Sequence, residues 1–218
     1  MILHLSTFHL EGGAGVAATR LHRALLHGGI NSKMLIPIIH QAEQGVTPLA
    51  ETVWQKRKSW LRFVGERLSF LPNEKDSSVR FAFSPADIGT DISQHPLVQQ
   101  ADIIHLHWIN FGFLSLNSLR KLFALGKPVV WTLHDMWAFT GGCHYSRGCN
   151  HYLTHCHQCP YLSHPGEYDI SFTQFEEKRK LYTSTQICVV SPSQWLTNLV
   201  QSASLTKLLP SQTVPNCI

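Results

Sequence analysis

Short apolar runs alternate with amphipathic segments along most of this 218-residue chain, and that alternation limits the folds open to it. Apolar runs of this length are typical of buried strands, and the segments between them carry apolar residues at helical spacing. The alternation predicts an α/β fold, with a parallel sheet covered by helices on both faces. The predicted strands are residues 2–5, 33–39, 102–106, 128–133 and 186–190; the predicted helices are 14–26, 54–71, 114–125, 171–182 and 194–202; and the polar segment 73–91 is predicted to be a mobile loop.

Composition restricts the compartment and the partners. The apolar fraction of 44% is enough for a sizeable core, and the chain has no run of about 20 apolar residues that could span a membrane. No basic region precedes the first apolar run, so it predicts a strand rather than a signal peptide, and we expect a cytoplasmic, reducing location. The net charge of +4 suits phosphate-bearing ligands or an anionic membrane without establishing either.

A glycine-rich loop follows the first predicted strand. Gly12, Gly13 and Ala14 lead into the helix 14–26, which carries Arg20. Glycines let a backbone approach a ligand closely, and a helix start offers free N–H groups to an anion, so we expect a contact with an anionic ligand or an acceptor. The alternative is a flexible turn without a ligand. The glycine spacing also fits the dinucleotide-binding pattern, but no acidic residue closes the second strand, which argues against an NAD-dependent oxidoreductase.

Two predicted strands lead directly into histidines. His105 and His107 flank one residue at the end of the strand 102–106, so their side chains point the same way. His134 and Asp135 follow the strand 128–133, and a histidine beside a carboxylate can bind sugar hydroxyls or hold a proton. Ordinary hydrogen-bonded histidines at a sheet edge are the alternative. Since both strands show the pattern, we expect a ligand site, to which the neighbouring Trp108 and Asn110 contribute.

Residues 140–161 contain four closely spaced cysteines. The last two form a Cys-x2-Cys turn, which is a common metal-chelating arrangement, whereas the spacing of the first two is irregular. A structural tetrahedral zinc is the preferred interpretation, and an iron–sulfur cluster, a histidine in place of one cysteine, and unliganded thiols are the alternatives. Cys188 lies inside a predicted strand, so we expect it to be a core residue. Cys217 lies near the end of the chain, and we expect it to be a free thiol. The predicted metal ligands are Cys143, Cys149, Cys156 and Cys159.

The predicted helix 54–71 is both basic and aromatic. It carries five Lys or Arg side chains and one acidic residue, Glu66, together with Trp54 and Trp60. Such a pattern is typical of helices that lie on a membrane surface, and the commoner explanation is a helix with one buried face. The basic stripe is too small to indicate nucleic-acid binding.

The chain resembles the amino-terminal half of a bacterial family-4 glycosyltransferase of the GT-B fold, in the branch that builds surface polysaccharides. This similarity implies a Rossmann-like domain, and it covers nearly the whole chain. The stretches that carry it are Gly12-Gly13-Ala14 with Arg20-Leu21-His22, Ala101 to Asn110, Pro128 to Tyr145 with the cysteines, Val190 to Leu196, and Val214-Pro215-Asn216.

The resemblance implies transfer of a sugar from a nucleotide donor to a glycan or lipid-linked acceptor, with retention of configuration. In such enzymes the amino-terminal domain binds mainly the acceptor, and reaction occurs in the cleft between two domains. The similarity places Gly12 and Gly13 near the donor diphosphate and His134 against the transferred sugar. His107 and Asp135 would line the acceptor side or support His134. The full set of expected site residues is His134 and Asp135 for catalysis, and Gly12, Gly13, Ala14, Arg20, His107, Trp108 and Asn110 for substrate binding.

Two departures from the family pattern limit this expectation. Ala138 stands where the family has proline, and Cys217 replaces the glycine through which the family continues into its donor-binding domain. We therefore expect one domain over residues 1–218, without the donor half and inactive by itself: a fragment, a truncated gene product or half of a split enzyme. Its expected partners are the acceptor, the donor-binding domain and peripherally the inner membrane surface. The alternative is a non-catalytic carbohydrate- or partner-binding module of the same fold.

Overall fold

The computed structural model describes residues 1–183 and 185–217. Seven parallel strands form one sheet in the order β3-β2-β1-β4-β5-β6-β7, which confirms the predicted α/β, Rossmann-like fold. The strands are β1 (Ile2–Leu5), β2 (Ser32–Ile36), β3 (Val46–Pro48), β4 (Ile103–Leu106), β5 (Val129–Thr132), β6 (Ile187–Ser191) and β7 (Ser211–Thr213). The helices are α1 (Gly12–His27), α2 (Val53–Phe70), α3 (Pro96–Gln100), α4 (Leu116–Phe123), α5 (Ile170–Tyr182) and α6 (Gln194–Ser202).

Local sequence signals set most helix starts. Thr52 and Gln55 form a capping box at the start of α2, and Asp169 accepts hydrogen bonds from two main-chain N–H groups at the start of α5. Such caps satisfy N–H groups that have no partner within the helix. The first helix differs, because Glu11 precedes it without a side-chain cap bond, and α1 begins at Gly12, two residues before the predicted start.

The predicted strands and helices are present, most of them with shifted ends, and two short strands and one short α-helix were not predicted. The strand predicted to reach residue 39 ends at Ile36, because Pro37 has no N–H to donate to the ladder. β3 and β7 are edge strands of three residues each, too short and too polar for an apolar run to reveal. α3 has only five residues.

The sheet packs into one large apolar core, and a smaller apolar cluster lies under the cysteine loop. That cluster joins Phe70 of α2 to Phe83, whose rings stack nearly parallel with centroids 4.8 Å apart. Phe83 is fully buried, so the segment 73–91, which was predicted to be a mobile loop, is anchored to the core at this residue, whereas residues 75–78 are exposed. Cys143, Cys159 and Tyr161 complete the contact from the loop side. The cysteine loop is thus attached to the domain through its own small core.

Candidate functional site

The carboxyl ends of β1, β4 and β5 meet at the centre of the sheet. The chain runs outward from β1 to β3 and then returns to place β4 beside β1, so the strand order reverses there. In open parallel sheets the crevice beyond this switch point is the usual ligand site. The glycine loop follows β1, His107 follows β4 and His134 follows β5, so the structure brings these predicted residues together.

Buried imidazoles connect the three strands. His4 Nδ1 lies 3.0 Å from His107 Nε2, and His107 Nδ1 lies 3.4 Å from His134 Nε2. His105 stacks on His107 with ring centroids 4.4 Å apart, as the two-residue spacing predicted, and its Nε2 is hydrogen-bonded to the Thr132 hydroxyl at 2.8 Å. The sequence analysis missed His4, which pairs with His105 only because β1 and β4 are neighbours.

Burial disfavours the charged form of these four histidines. Burial lowers the pKa of His134 and that of His105 to about 4. Burial, together with repulsion from neighbouring imidazoles, holds the pKa values of His4 and His107 well below the usual range. Among the described residues, His4, His105 and His107 have donor atoms within 4.8 Å of one another, close enough to hold a transition-metal ion. Neutral imidazole can donate and accept hydrogen bonds, so His134 is suited to contact a sugar hydroxyl.

Asp135 is held at the centre of a hydrogen-bond network. Its Oδ2 accepts from Trp108 Nε1 at 2.8 Å and lies 2.6 Å from His144 Nδ1, and its Oδ1 accepts from the Trp137 main-chain N–H at 2.8 Å. Burial alone would raise the pKa of Asp135, but the charge and hydrogen bonds of its partners outweigh burial and lower it. Both carboxylate oxygens are therefore hydrogen-bonded within the protein, and Asp135 connects Trp108 to His144.

Trp108 and Asn110 lie differently from each other. The Trp108 ring stacks between Phe8 and His144, with centroids 5.3 and 5.4 Å away. Asn110 is only 2% exposed, and its side-chain Nδ2 has no hydrogen-bond partner among the described residues. Both residues line a small cavity beside His134 and Asp135, so the structure places each of them next to the predicted site.

The glycine loop is open to solvent. Gly12 has a φ of +61°, and a Cβ added at Gly12 or Gly13 would meet no atom within 4 Å. Ala14 lies in the first turn of α1, whose first N–H groups lack a side-chain cap. Arg20 is exposed and its Nη1 donates to the Cys217 carbonyl oxygen at 3.5 Å, so it faces the carboxyl-terminal segment rather than the loop.

Two cavities open around these strand ends. One, of about 230 Å³, is lined by His105, His107 and His134 together with residues 214–217. The other, of about 220 Å³, combines aromatic walls with polar groups. Aromatic faces beside a few convergent polar groups are typical of ligand sites. Sequence reasoning missed this second cavity, because its lining comes from four separate segments: Phe8, His9, Glu11, His40, Trp60, Phe63 and Phe111.

The four cysteines of the loop surround one small cavity of about 20 Å³, together with His151 and His157. None of them forms a disulfide. The loop is irregular apart from a short 3₁₀ turn, His151–Leu153. Cys188 lies in β6, half-buried rather than fully in the core, and Cys217 is a half-buried free thiol. The structure thus gathers the predicted ligands Cys143, Cys149, Cys156 and Cys159 in one place.

The outer face of α2 is unusual. Trp54 is 71% exposed and Trp60 is 59% exposed, whereas Glu66 and Arg67 are buried and hydrogen-bonded to each other at 2.9 Å. The helix therefore buries this ion pair together with Phe70 and exposes its two tryptophans, unlike an ordinary amphipathic helix, whose exposed face is polar. No described helix has the length and apolar character needed to cross a membrane.

The sheet order, the glycine loop after β1 and the histidines after β4 and β5 define a Rossmann-like domain, a class of fold in which ligands usually bind at the switch point. The sequence model of Glycosyltransferase Family 4 matches residues 11–207, and the chain belongs to that family. It is also similar to a protein of Escherichia coli strain K12 named "Putative colanic acid biosynthesis glycosyl transferase WcaC", with 30% identity over 115 residues. That match covers 49% of this chain and 28% of the E. coli protein.

Proposed function

We propose that this domain forms the acceptor side of a retaining glycosyltransferase that uses a nucleotide-sugar donor in polysaccharide biosynthesis. Family membership supports the reaction class, and the name of the E. coli relative supports the pathway class. The observation that carries the proposal is the meeting of the glycine loop, His107 and His134 at the switch point, beside two cavities. The acceptor hydroxyl would attack the anomeric carbon as the bond from that carbon to the diphosphate breaks, and the hydroxyl proton would pass to the phosphate oxygen of the departing nucleoside diphosphate.

In this proposal His134 binds a hydroxyl of the transferred sugar as a neutral imidazole. Its Nε2 faces His107 Nδ1, so Nδ1 is the nitrogen free to meet a ligand. Asp135 and His107 hold the surrounding side chains in place. Gly12 and Gly13 would let the donor diphosphate approach the start of α1, where unpaired N–H groups favour an anion.

The aromatic cavity is the proposed acceptor site. Phe8 and Phe63 offer faces on which a sugar ring can stack, and His9 and Glu11 supply hydrogen-bonding groups. Trp60 belongs both to this cavity and to the exposed face of α2, which also carries basic side chains. An anionic membrane surface beside the cavity would suit a lipid-linked acceptor.

The test uses the whole transferase with a panel of nucleotide sugars and a lipid-linked acceptor. His134→Ala should lower turnover about a hundredfold, as is typical when a positioned contact is lost, without lowering the thermal midpoint. His27→Ala, at the exposed end of α1, is the matched control and should keep normal turnover.

Near-normal turnover of His134→Ala would contradict the assignment of His134. A different result would favour the non-catalytic module of the same fold: saturable glycan binding by the wild type, abolished by Phe63→Ala, with no transfer from any donor of the panel.

A further inference from the structure

We propose that the four cysteines of residues 140–161 bind one structural zinc ion as thiolates, and that this ion ties the loop to the residues around Asp135. The proposal does not depend on the transferase activity. The cysteines are spread over 17 positions, yet all of them line one small cavity. Four convergent thiols with no disulfide between them form the donor set of a closed tetrahedral zinc site.

Two polar groups at this cavity point to a ligand. His157 lines it, and its Nδ1 is buried without a hydrogen-bond partner among the described residues. The main-chain N–H of Gly141 lies 3.1 Å from Cys156 Sγ and donates to it. Donation to sulfur stabilises a thiolate more than a thiol, and outer groups of this kind are typical around metal-bound cysteines.

A buried lysine gives the strongest argument. Lys178 on α5 is 0% exposed, and its Nζ donates to the Trp137 and Thr140 carbonyl oxygens at 2.5 and 3.0 Å. No carboxylate of the described residues lies within ion-pairing distance of this ammonium. Burying an ammonium without an opposing charge is strongly unfavourable. A zinc ion with four thiolates carries a net charge of about −2, which would balance Lys178.

Zinc binding requires the thiols to come closer together. Zn–S bonds of about 2.3 Å place the sulfur atoms of a tetrahedral site about 3.8 Å apart. No three of the loop's four described thiols have sulfur atoms all within 4.8 Å of one another. Rotation of one cysteine between χ1 rotamers moves its sulfur by about 3 Å, and the proposal requires such rearrangement of the cysteine side chains.

The backbone on both sides of the site is tightly constrained. A Cβ at Gly141 would lie 2.5 Å from the Ser171 carbonyl oxygen, and one at Gly142, whose φ is +133°, would lie 2.3 Å from the Phe83 ring. His144 directly follows the first cysteine, and its imidazole is hydrogen-bonded to Asp135. Metal binding would therefore restrain the residue that holds the carboxylate in place.

Elemental analysis of the 218-residue chain, purified without added metal, should show about one zinc per chain. Cys156→Ser and Cys159→Ser should each lose the zinc, whereas the matched control Cys188→Ser, in β6, should retain it. If the serine variants do not fold, peptide-resolved alkylation of the wild type decides the matter. The four loop thiols should be protected until a chelator is added, and Cys217 should react throughout.

A second pair of variants tests the charge argument. Lys178→Met should bind zinc at least tenfold more weakly in competition with a chromophoric chelator, because the tetrathiolate loses its compensating cation. Lys180→Met on the same helix is the control and should bind normally, since Lys180 is exposed and paired with Glu177.

Four results would overturn the proposal: folded wild-type protein without metal, iron in place of zinc, a disulfide within the loop, or loop thiols that react as fast before chelation as after it. Equal zinc affinity in the two lysine variants would overturn the part assigned to Lys178.

Discussion

Mild acid should destabilise this domain through its buried histidines. The pKa of His134 and that of His105 are lowered to about 4 in the folded protein, from about 6.5 in the unfolded chain. Between these two values the unfolded state binds protons that the folded state excludes. Folding stability is therefore full above pH 6.5, falls as the pH drops through the window from about 6.5 to about 4, and levels off below it.

The size of the effect follows from the two pKa values. For one histidine with pKa values of about 6.5 unfolded and about 4 folded, lowering the pH from 7.5 to 5 costs about 2 kcal/mol of unfolding free energy. The same values apply to His134, so His105 and His134 together contribute roughly 4 kcal/mol. Burial also lowers the pKa values of His4 and His107, so these two histidines act in the same direction. A loss of roughly 4 kcal/mol is a large share of the stability of an ordinary domain, so the protein is expected to be much less stable at pH 5.

Urea unfolding at pH 7.5 and pH 5, followed by circular dichroism, measures this loss. His105→Asn should reduce the difference between the two pH values by about 2 kcal/mol, because one titrating group is removed. The control His27→Asn changes an exposed histidine and should leave the difference unchanged. Equal stability of the wild type at both pH values would refute the reasoning, as would identical differences in wild type and His105→Asn.

Two further predictions concern the loop and the membrane. Gly142→Ala should lower the unfolding free energy by roughly 2 kcal/mol or more, because the added Cβ would lie 2.3 Å from the Phe83 ring. The control Gly13→Ala has open space around it and should be neutral or slightly stabilising in a thermal melt. Trp60→Ser should weaken binding about tenfold to vesicles that contain anionic lipid, whereas the control Trp195→Ser, equally exposed on α6, should bind as the wild type does. Equal losses in the two variants, or no vesicle binding by the wild type, would contradict membrane docking by α2.

Much of the fold could be predicted from local pattern. The strand Ile2–Leu5 and the helix Gln194–Ser202 have the predicted bounds, because an apolar run and a serine cap are visible within a few residues. The two-residue period of a strand likewise determined that His105 and His107 would share a face. The glycine loop and the histidines at strand ends were predictable for the same reason, since parallel strands place their carboxyl ends at one edge of the sheet.

The surroundings of those residues were decided by tertiary structure. His4 meets His107 across 103 positions, and that contact exists only because β4 returns to the side of β1. Asp135 was predicted as a catalytic group, but the fold surrounds it with donors from Trp108 and His144 that no local pattern connects to it. Hydrophobic periodicity and helix capping act over a few residues, so the sequence by itself determined where the strands and helices lie and which residues follow their ends. Burial and charge depend on neighbours distant in the chain, so only the folded structure decided which side chains are neutral, paired or open to a ligand.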